Sequence, residues 1–494
     1  MPYQTETKRM TSPSSNWNQT DKWVLAGLIG LVVARIIALL MTPLTLNVDE
    51  AQYWVWSQNL DFGYYSKPPL IAWLIGISHA IFGHASWAVR LPAPVLHFAI
   101  SLILWRIASL IYGARAGQIA GLLWAVMPAT GLGSLVISTD SPLLLFWSAA
   151  LLFFIKAETA SAHDEPTQRN RWMFAAGLAA GIAMLGKYAA LYFLLGAALY
   201  LLAVRKQRAV SQIIMLLAGF LIAASPNLLW NLSNGFVTFQ HLGENANLGA
   251  PSYSLAQLSR FVIAQFGVFG PLTLSLVIIA AMGKSKYRFL LMSFSLPVLL
   301  IMMGQAFLKE ANANWAVTAY PALTLLLAGW LAQASGARSV RARAGLLALS
   351  INAGLIFIVT LSAAFGDFGR LTPKSDPLRR MRGWDVLAAD ITPHLDNYAV
   401  RTVLADSRAA AAILPFYLYP RDVEVRLFDH DNQPSNHFER AFNFTENSPL
   451  PALAIVAPDA QPVPDFVKWS GPVGNSNVVI SYRRSREKTF FISD

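Results

Sequence analysis

The chain has 494 residues, 55% of them hydrophobic and only 13% charged, with a mean hydropathy of +0.44. A soluble chain carries about 25% charged residues, and the apolar residues here stand in long blocks, so a polytopic membrane protein is expected. The net charge of +11 does not argue for nucleic acid, because the basic residues lie in short loops between apolar runs. The lack of cysteine excludes disulfide and thiolate chemistry.

Residues 1–22 form a polar leader, read as a cytoplasmic tail. The first apolar run, 23–41, is interrupted by Arg35 and is followed by no small-x-small cleavage site, so it reads as an anchor. Further spans are predicted near 91–111, 119–135, 141–157, 172–187, 188–204, 210–229, 262–282, 289–307, 316–334 and 346–366, about eleven in all. With the N-terminus inside, Lys and Arg of the inner loops outnumber those of the outer loops by roughly three to one. Lys67, Arg90, Lys187, Arg260 and Lys309 are then the outer cations. The acids Asp49, Glu50, Asp61, Asp140, Glu244 and Glu310 fall at the same outer face. The spans are nearly free of carboxylates, which places the chemistry at the outer membrane surface rather than at mid-depth. An odd span number puts residues 367–494 outside as well, as a soluble α/β module. Within it AVRTVLAD, VEVRLF, LAIVAP and NVVISYRR read as strands, and SRAAAAILPFYLY as a helix with Ser407 as N-cap.

The first outer loop, within 42–90, contains NVDEAQYWVWSQNLDFGYYSKPPL at 47–70. Neighbours on a helix point about 100° apart, so Asp49 and Glu50 cannot act on the same proton. One faces a cavity and the other supports it. AQYWVWSQNL reads as a short interfacial helix with Tyr53, Trp54 and Trp56 at headgroup depth. Pro68 and Pro69 stiffen the corner that presents Lys67. A fixed cation beside an acid at a lipid surface suits a phosphate-bearing lipid, the lysine binding phosphate and the acid acting as base. No phosphate-cradling glycine loop is present, which argues against a nucleotide-driven mechanism. The chain also lacks the internal repeat and broken polar spans of a transporter.

The stretch DEAQYWVWSQNLDFGYYSKPPLIAWL resembles the first outer loop of the GT-C glycosyltransferases that use polyprenyl-phosphate sugars. That superfamily includes protein O-mannosyltransferases and, in its bacterial branch, the lipid A aminoarabinose and lipid A-core galacturonosyl transferases. VRLPAPV, ISTDSPLLLFW, MLGKYAALYFLL, PNLLWNLSNGFVTFQH and ANANWAVTAYPA match the bacterial branch in order, so the resemblance spans essentially the whole chain. It implies a polytopic α-helical GT-C enzyme of the bacterial inner membrane, with a catalytic membrane region 23–366 and a periplasmic domain 367–494. It further implies a polyprenyl-phosphate-sugar donor and an envelope glycolipid or glycan as acceptor, with protein hydroxyls as the alternative.

Carried over by position, the resemblance makes Asp49 the catalytic base with Glu50 beside it, Asp140 a further acid of the site, and Lys67 the phosphate contact. Tyr64, Tyr65, Arg90, Lys187, Tyr188, His241, Asn314 and Trp315 follow as substrate contacts, with Asn231, Glu244 and Asn312 as further candidates. Aminoarabinose transferases carry a glutamate immediately before the lysine, where Ser66 stands here. The change favours transfer of a related sugar, and a divalent metal is the only cofactor the resemblance leaves open.

Overall fold

The computed structural model describes residues 18–160, 166–246, 253–366, 378–458, 462–464, 466–481 and 484–493. Most of the predicted N-terminal tail lies outside them. Helix α1 (Gln19–Met41) starts at a capping box in which Asn18 and Asp21 each satisfy the other's backbone N–H. Arg35, which breaks its apolar run, is buried and donates to the Ala125 carbonyl at 2.7 Å. That oxygen ends the helix Ala114–Ala125, where the helix dipole favours a cation. The arginine therefore points into the bundle and not at lipid.

Among the described residues seven helices are long and apolar enough to cross a membrane, and the pair Leu255–Phe269 and Pro271–Met282, bent by 102°, makes an eighth if counted as one span. The chain is a multi-pass membrane protein. The expected count of eleven is not confirmed: the spans predicted near 119–135, 172–187 and 188–204 do not meet that measure. The first of these breaks into two short helices at Pro128, and the second begins with polar TQRNR. Small residues draw helices together where no hydrophobic force acts between them. An added Cβ at Gly177 would run into the Leu216 carbonyl, and one at Gly219 into that of Phe174.

Two helices of the first outer loop, α2 (Val48–Gln58) and α3 (Leu70–Phe82), lie between α1 and the next long helix. The C-terminal residues form a five-stranded sheet of order β2-β1-β3-β5-β4. Strands β1 (Thr402–Ala405), β2 (Glu424–Leu427) and β3 (Ala452–Val456) are parallel, whereas β4 (Trp469–Ser481) and β5 (Arg484–Ser493) join antiparallel. The predicted strand NVVISYRR falls across the end of β4 and the start of β5. Ser407 caps the predicted helix, here Arg408–Leu418, by accepting from the Ala410 N–H.

One apolar cluster unites the outer loop with this module. Tyr53, Trp54 and Trp56 of α2 are buried together with Phe416, Leu414 and Ile413 of the Arg408–Leu418 helix. Trp54 meets Phe416 edge-on at 5.0 Å and His84 at 5.3 Å. These aromatics were expected at headgroup depth; instead they form the seam between the membrane part and the sheet. Packing against a second apolar surface removes more of each ring from water than the interface would.

Candidate active site

The acid pair opens α2, and the helix turn separates its two members. Asn47 is the N-cap, its side chain accepting from the Asp49 N–H, while Glu50 reaches back to the Asn47 N–H at 2.9 Å. Glu50 then closes on Arg90 at 2.8 Å, both side chains being 1% exposed. The carboxylate also accepts from the Ile137 N–H at 3.0 Å, and Arg90 donates to the Thr45 and Leu44 carbonyls. Every nitrogen of the Arg90 guanidinium and both oxygens of the Glu50 carboxylate have partners, as burial of charge demands. Glu50 was expected to be catalytic and Arg90 to touch substrate; sealed away as they are, neither can meet a ligand. They fix the start of α2 to the next helix and to the loop at Ile137.

Asp49, turned the other way, is 60% exposed. Arg408 of the C-terminal module reaches it at 2.9 Å and also donates twice to the Gln52 side-chain oxygen, at 2.8 and 3.1 Å. Sequence reasoning missed Arg408. A cation in the first turn of a helix opposes the dipole, and that misfit was the available signal.

Lys67 sits on a turn closed by the Tyr64 N–H donating to its carbonyl at 3.0 Å. Thr238 donates to the Tyr64 carbonyl and Asn227 to that of Phe62, so helices far along the chain hold the corner. Pro69 then caps α3. Among the described residues the Lys67 ammonium has no hydrogen bond or ion pair. Burial, followed by the neighbouring Lys187 ammonium, holds its pKa below the usual lysine value, while Asp49 and Asp140 pull it back up. Arg408 adds a smaller repulsion to the same ammonium.

Asp140 begins the helix Asp140–Thr159, where an acid suits the dipole. One of its oxygens takes Lys187 at 2.7 Å and the other takes the Asn314 amide at 2.8 Å. Beneath it lies a cavity of about 510 Å³ with largely apolar walls, including Trp124, Leu144, Val268 and Tyr320. Trp315 is half-buried against the helical core beside this group.

Asn312 lines the same cavity as Asp140, whereas Tyr64, Tyr65 and Tyr188 are engaged with other partners. Tyr64 stacks on Trp56 with ring centroids 4.7 Å apart, and its hydroxyl donates to backbone at Trp56 and Asn59. Tyr65 donates to the Pro434 carbonyl and packs on His241. Tyr188 is buried, donating to the Asn227 side chain and accepting from Asn231. The side chain of Glu244 lies outside the described residues. No three His, Asp or Glu side chains come together among the described residues, and Ser66 supplies no carboxylate.

Lipid A galacturonosyltransferase RgtD of Rhizobium johnstonii is 33% identical to this chain over 431 residues, 84% of this chain and 86% of its own length. The chain belongs to this family of GT-C glycosyltransferases. Residues 66–230, which start at the Lys67 corner, also match the family described as dolichyl-phosphate-mannose-protein mannosyltransferase. The GT-C fold extends over the whole chain: ArnT of Cupriavidus metallidurans superposes with a TM-score of 0.69 in the apo state and 0.70 bound to undecaprenyl phosphate. In both comparisons identity is 15%, and 96% of this chain and 98% of ArnT are covered. The enzyme is a membrane glycosyltransferase.

Proposed function

We propose that the enzyme moves a sugar from a polyprenyl phosphate to a hydroxyl of lipid A or its core, at the non-cytoplasmic face of the inner membrane. The observation that carries this reading is the Lys187–Asp140 ion pair, with Asp140 on the wall of an apolar cavity and with Asp140, Lys187 and Asp49 all acting electrostatically on the Lys67 ammonium. A lipid-linked phosphate needs such a pairing, with fixed cations for the anion and an apolar slot for the chain. The likeness to RgtD supports lipid A as acceptor. The basic inner loops support a cytoplasmic position for the opposite end of the bundle.

In this reading the prenyl chain enters the 510 Å³ cavity and the donor phosphate meets Lys67 and Lys187. Asp140 and Asn314 aim Lys187 at it. Asp49, exposed to the water-filled side, takes the proton of the acceptor hydroxyl as its oxygen bonds to the anomeric carbon. The bond from that carbon to the phosphate oxygen breaks, and its electron pair leaves on the polyprenyl phosphate, stabilised by the two ammonium groups. Displacement in one step inverts the anomeric centre. Purified enzyme in liposomes, given radiolabelled undecaprenyl-phosphate sugar and lipid A, should label the lipid A; label left wholly on the donor would refute the reaction.

Lys67→Ala should weaken donor binding by about 1.5–3 kcal/mol, the scale of a hydrogen bond to a charged group. Equal affinity of variant and wild type for undecaprenyl phosphate would remove the phosphate role from Lys67.

The lowered Lys67 pKa also sets a pH dependence. The ammonium form binds phosphate, so affinity is complete well below that pKa and falls as pH rises through it. The fall should therefore begin at a lower pH than for an ordinary lysine, with Lys187, Asp49, Asp140 and Arg408 as the other charges facing the group. Lys67→Arg stays charged at alkaline pH and should bind donor with a much weaker alkaline decline. Coincident pH profiles for the two proteins would contradict this assignment.

A further inference from the structure

A second cavity, of about 350 Å³, lies between the first outer loop and the C-terminal module. The transfer step makes no use of it. Trp56, Tyr64, Tyr65 and Trp230 supply aromatic walls, and Asn59, Asp61 and Arg440 supply polar groups. Its size falls within the range of about 300–1,000 Å³ typical of small-molecule sites.

Two of its donors are unused. The Arg440 guanidinium and the Asn59 amide have no hydrogen bond or ion pair among the described residues. Asp61, in contrast, is already engaged, accepting from the Trp230 indole at 2.6 Å and from the Phe62 N–H. Flat aromatic faces beside planar polar groups recognise a sugar ring, whose C–H faces pack on the rings while its hydroxyls bond to the polar edge. The walls hold one acid and one base, so their charges oppose each other and do not select a bare anion.

The position points the same way. Trp56 follows Asp49 by seven residues, close to two helical turns, so it shares the Asp49 face of α2 about 10 Å further along. His437, which meets Trp56 edge-on at 5.5 Å, has its pKa pushed down to about 4 by burial and then by Arg408, the partner of Asp49. The cavity thus adjoins the Asp49 side of the centre and shares no wall residue with the cavity under Asp140.

We propose that this cavity is a saccharide subsite that holds a sugar residue of the acceptor glycan while a neighbouring hydroxyl meets Asp49. The proposal rests on the reading of the protein as a glycolipid-directed transferase. Arg440→Ala, and separately Ala441→Trp, which fills the cavity from an exposed position of its wall, should each raise the acceptor KM by about tenfold or more. The kcat and the affinity for undecaprenyl phosphate should stay near those of wild type.

Direct binding is read without turnover, as the change in tryptophan fluorescence when the deacylated glucosamine disaccharide of lipid A is added to the full-length protein. Inorganic phosphate serves as the control. Quenching by the disaccharide in wild type, lost in Ala441→Trp and not reproduced by phosphate, is expected. Unchanged acceptor KM in both variants would overturn the subsite, as would equal quenching by phosphate. If the disaccharide binds but no sugar reaches lipid A, the subsite stands and the transferase reading falls.

Discussion

Asp49→Asn is expected to lose transfer by about 10²–10⁴-fold, the usual contribution of a positioned general base, while donor binding stays within about twofold of wild type. The substitution is close to isosteric, and an asparagine oxygen can still accept from Arg408, so α2 and its contact with the C-terminal module persist. What disappears is basicity. The Asp49–Arg408 pair is largely exposed, and exposed pairs contribute little to stability. Thermal unfolding should therefore move hardly at all. Single-turnover transfer from a radiolabelled donor, measured beside equilibrium donor binding, separates the two effects. Near wild-type turnover in Asp49→Asn would remove the proton-transfer role from this residue.

The neighbouring residue should behave in the opposite way. Glu50→Ala or Arg90→Ala leaves a charge uncompensated in a site that is 1% exposed, at a cost of about 3–5 kcal/mol. Both variants should show a clearly lower unfolding midpoint by tryptophan fluorescence in detergent. Loss of Glu50 also removes its half of the capping box on α2 and the acceptor for the Ile137 N–H, so Asp49 is held less firmly in place. Replacing both partners with leucine removes both charges at once and should recover much of the lost stability, though not the activity, which needs the ordered helix start. Single variants that unfold with wild-type midpoints would show that the pair is not the clamp it is taken to be. The contrast between residues 49 and 50 is a sharp test, since the proposal assigns chemistry to one residue of the dipeptide and architecture to the other.

Much of this arrangement was legible in the order of residues. The missing charge and long apolar blocks determined a multi-pass helical membrane protein, because backbone and side chains in lipid must satisfy themselves internally. The DE and KPP motifs pointed to the family, and helix geometry alone required Asp49 and Glu50 to face different ways. Ser407 marked the start of a helix because an N-cap is a local hydrogen bond between neighbours in sequence.

Which of the two acids turns inward was not local. It depends on Arg90, 40 residues away, being carried to the same place by the packing of the next helix. The fate of Tyr53, Trp54 and Trp56 was hidden for the same reason, since a headgroup and the Arg408–Leu418 helix are equally acceptable to an aromatic ring. The arrival of Arg408 at Asp49 joins residues 359 apart in sequence, and no periodicity or spacing encodes such a contact. Local hydrogen bonding and hydropathy wrote the elements into the sequence; the burial of charge and of aromatic surface between distant elements decided which residues face the reaction.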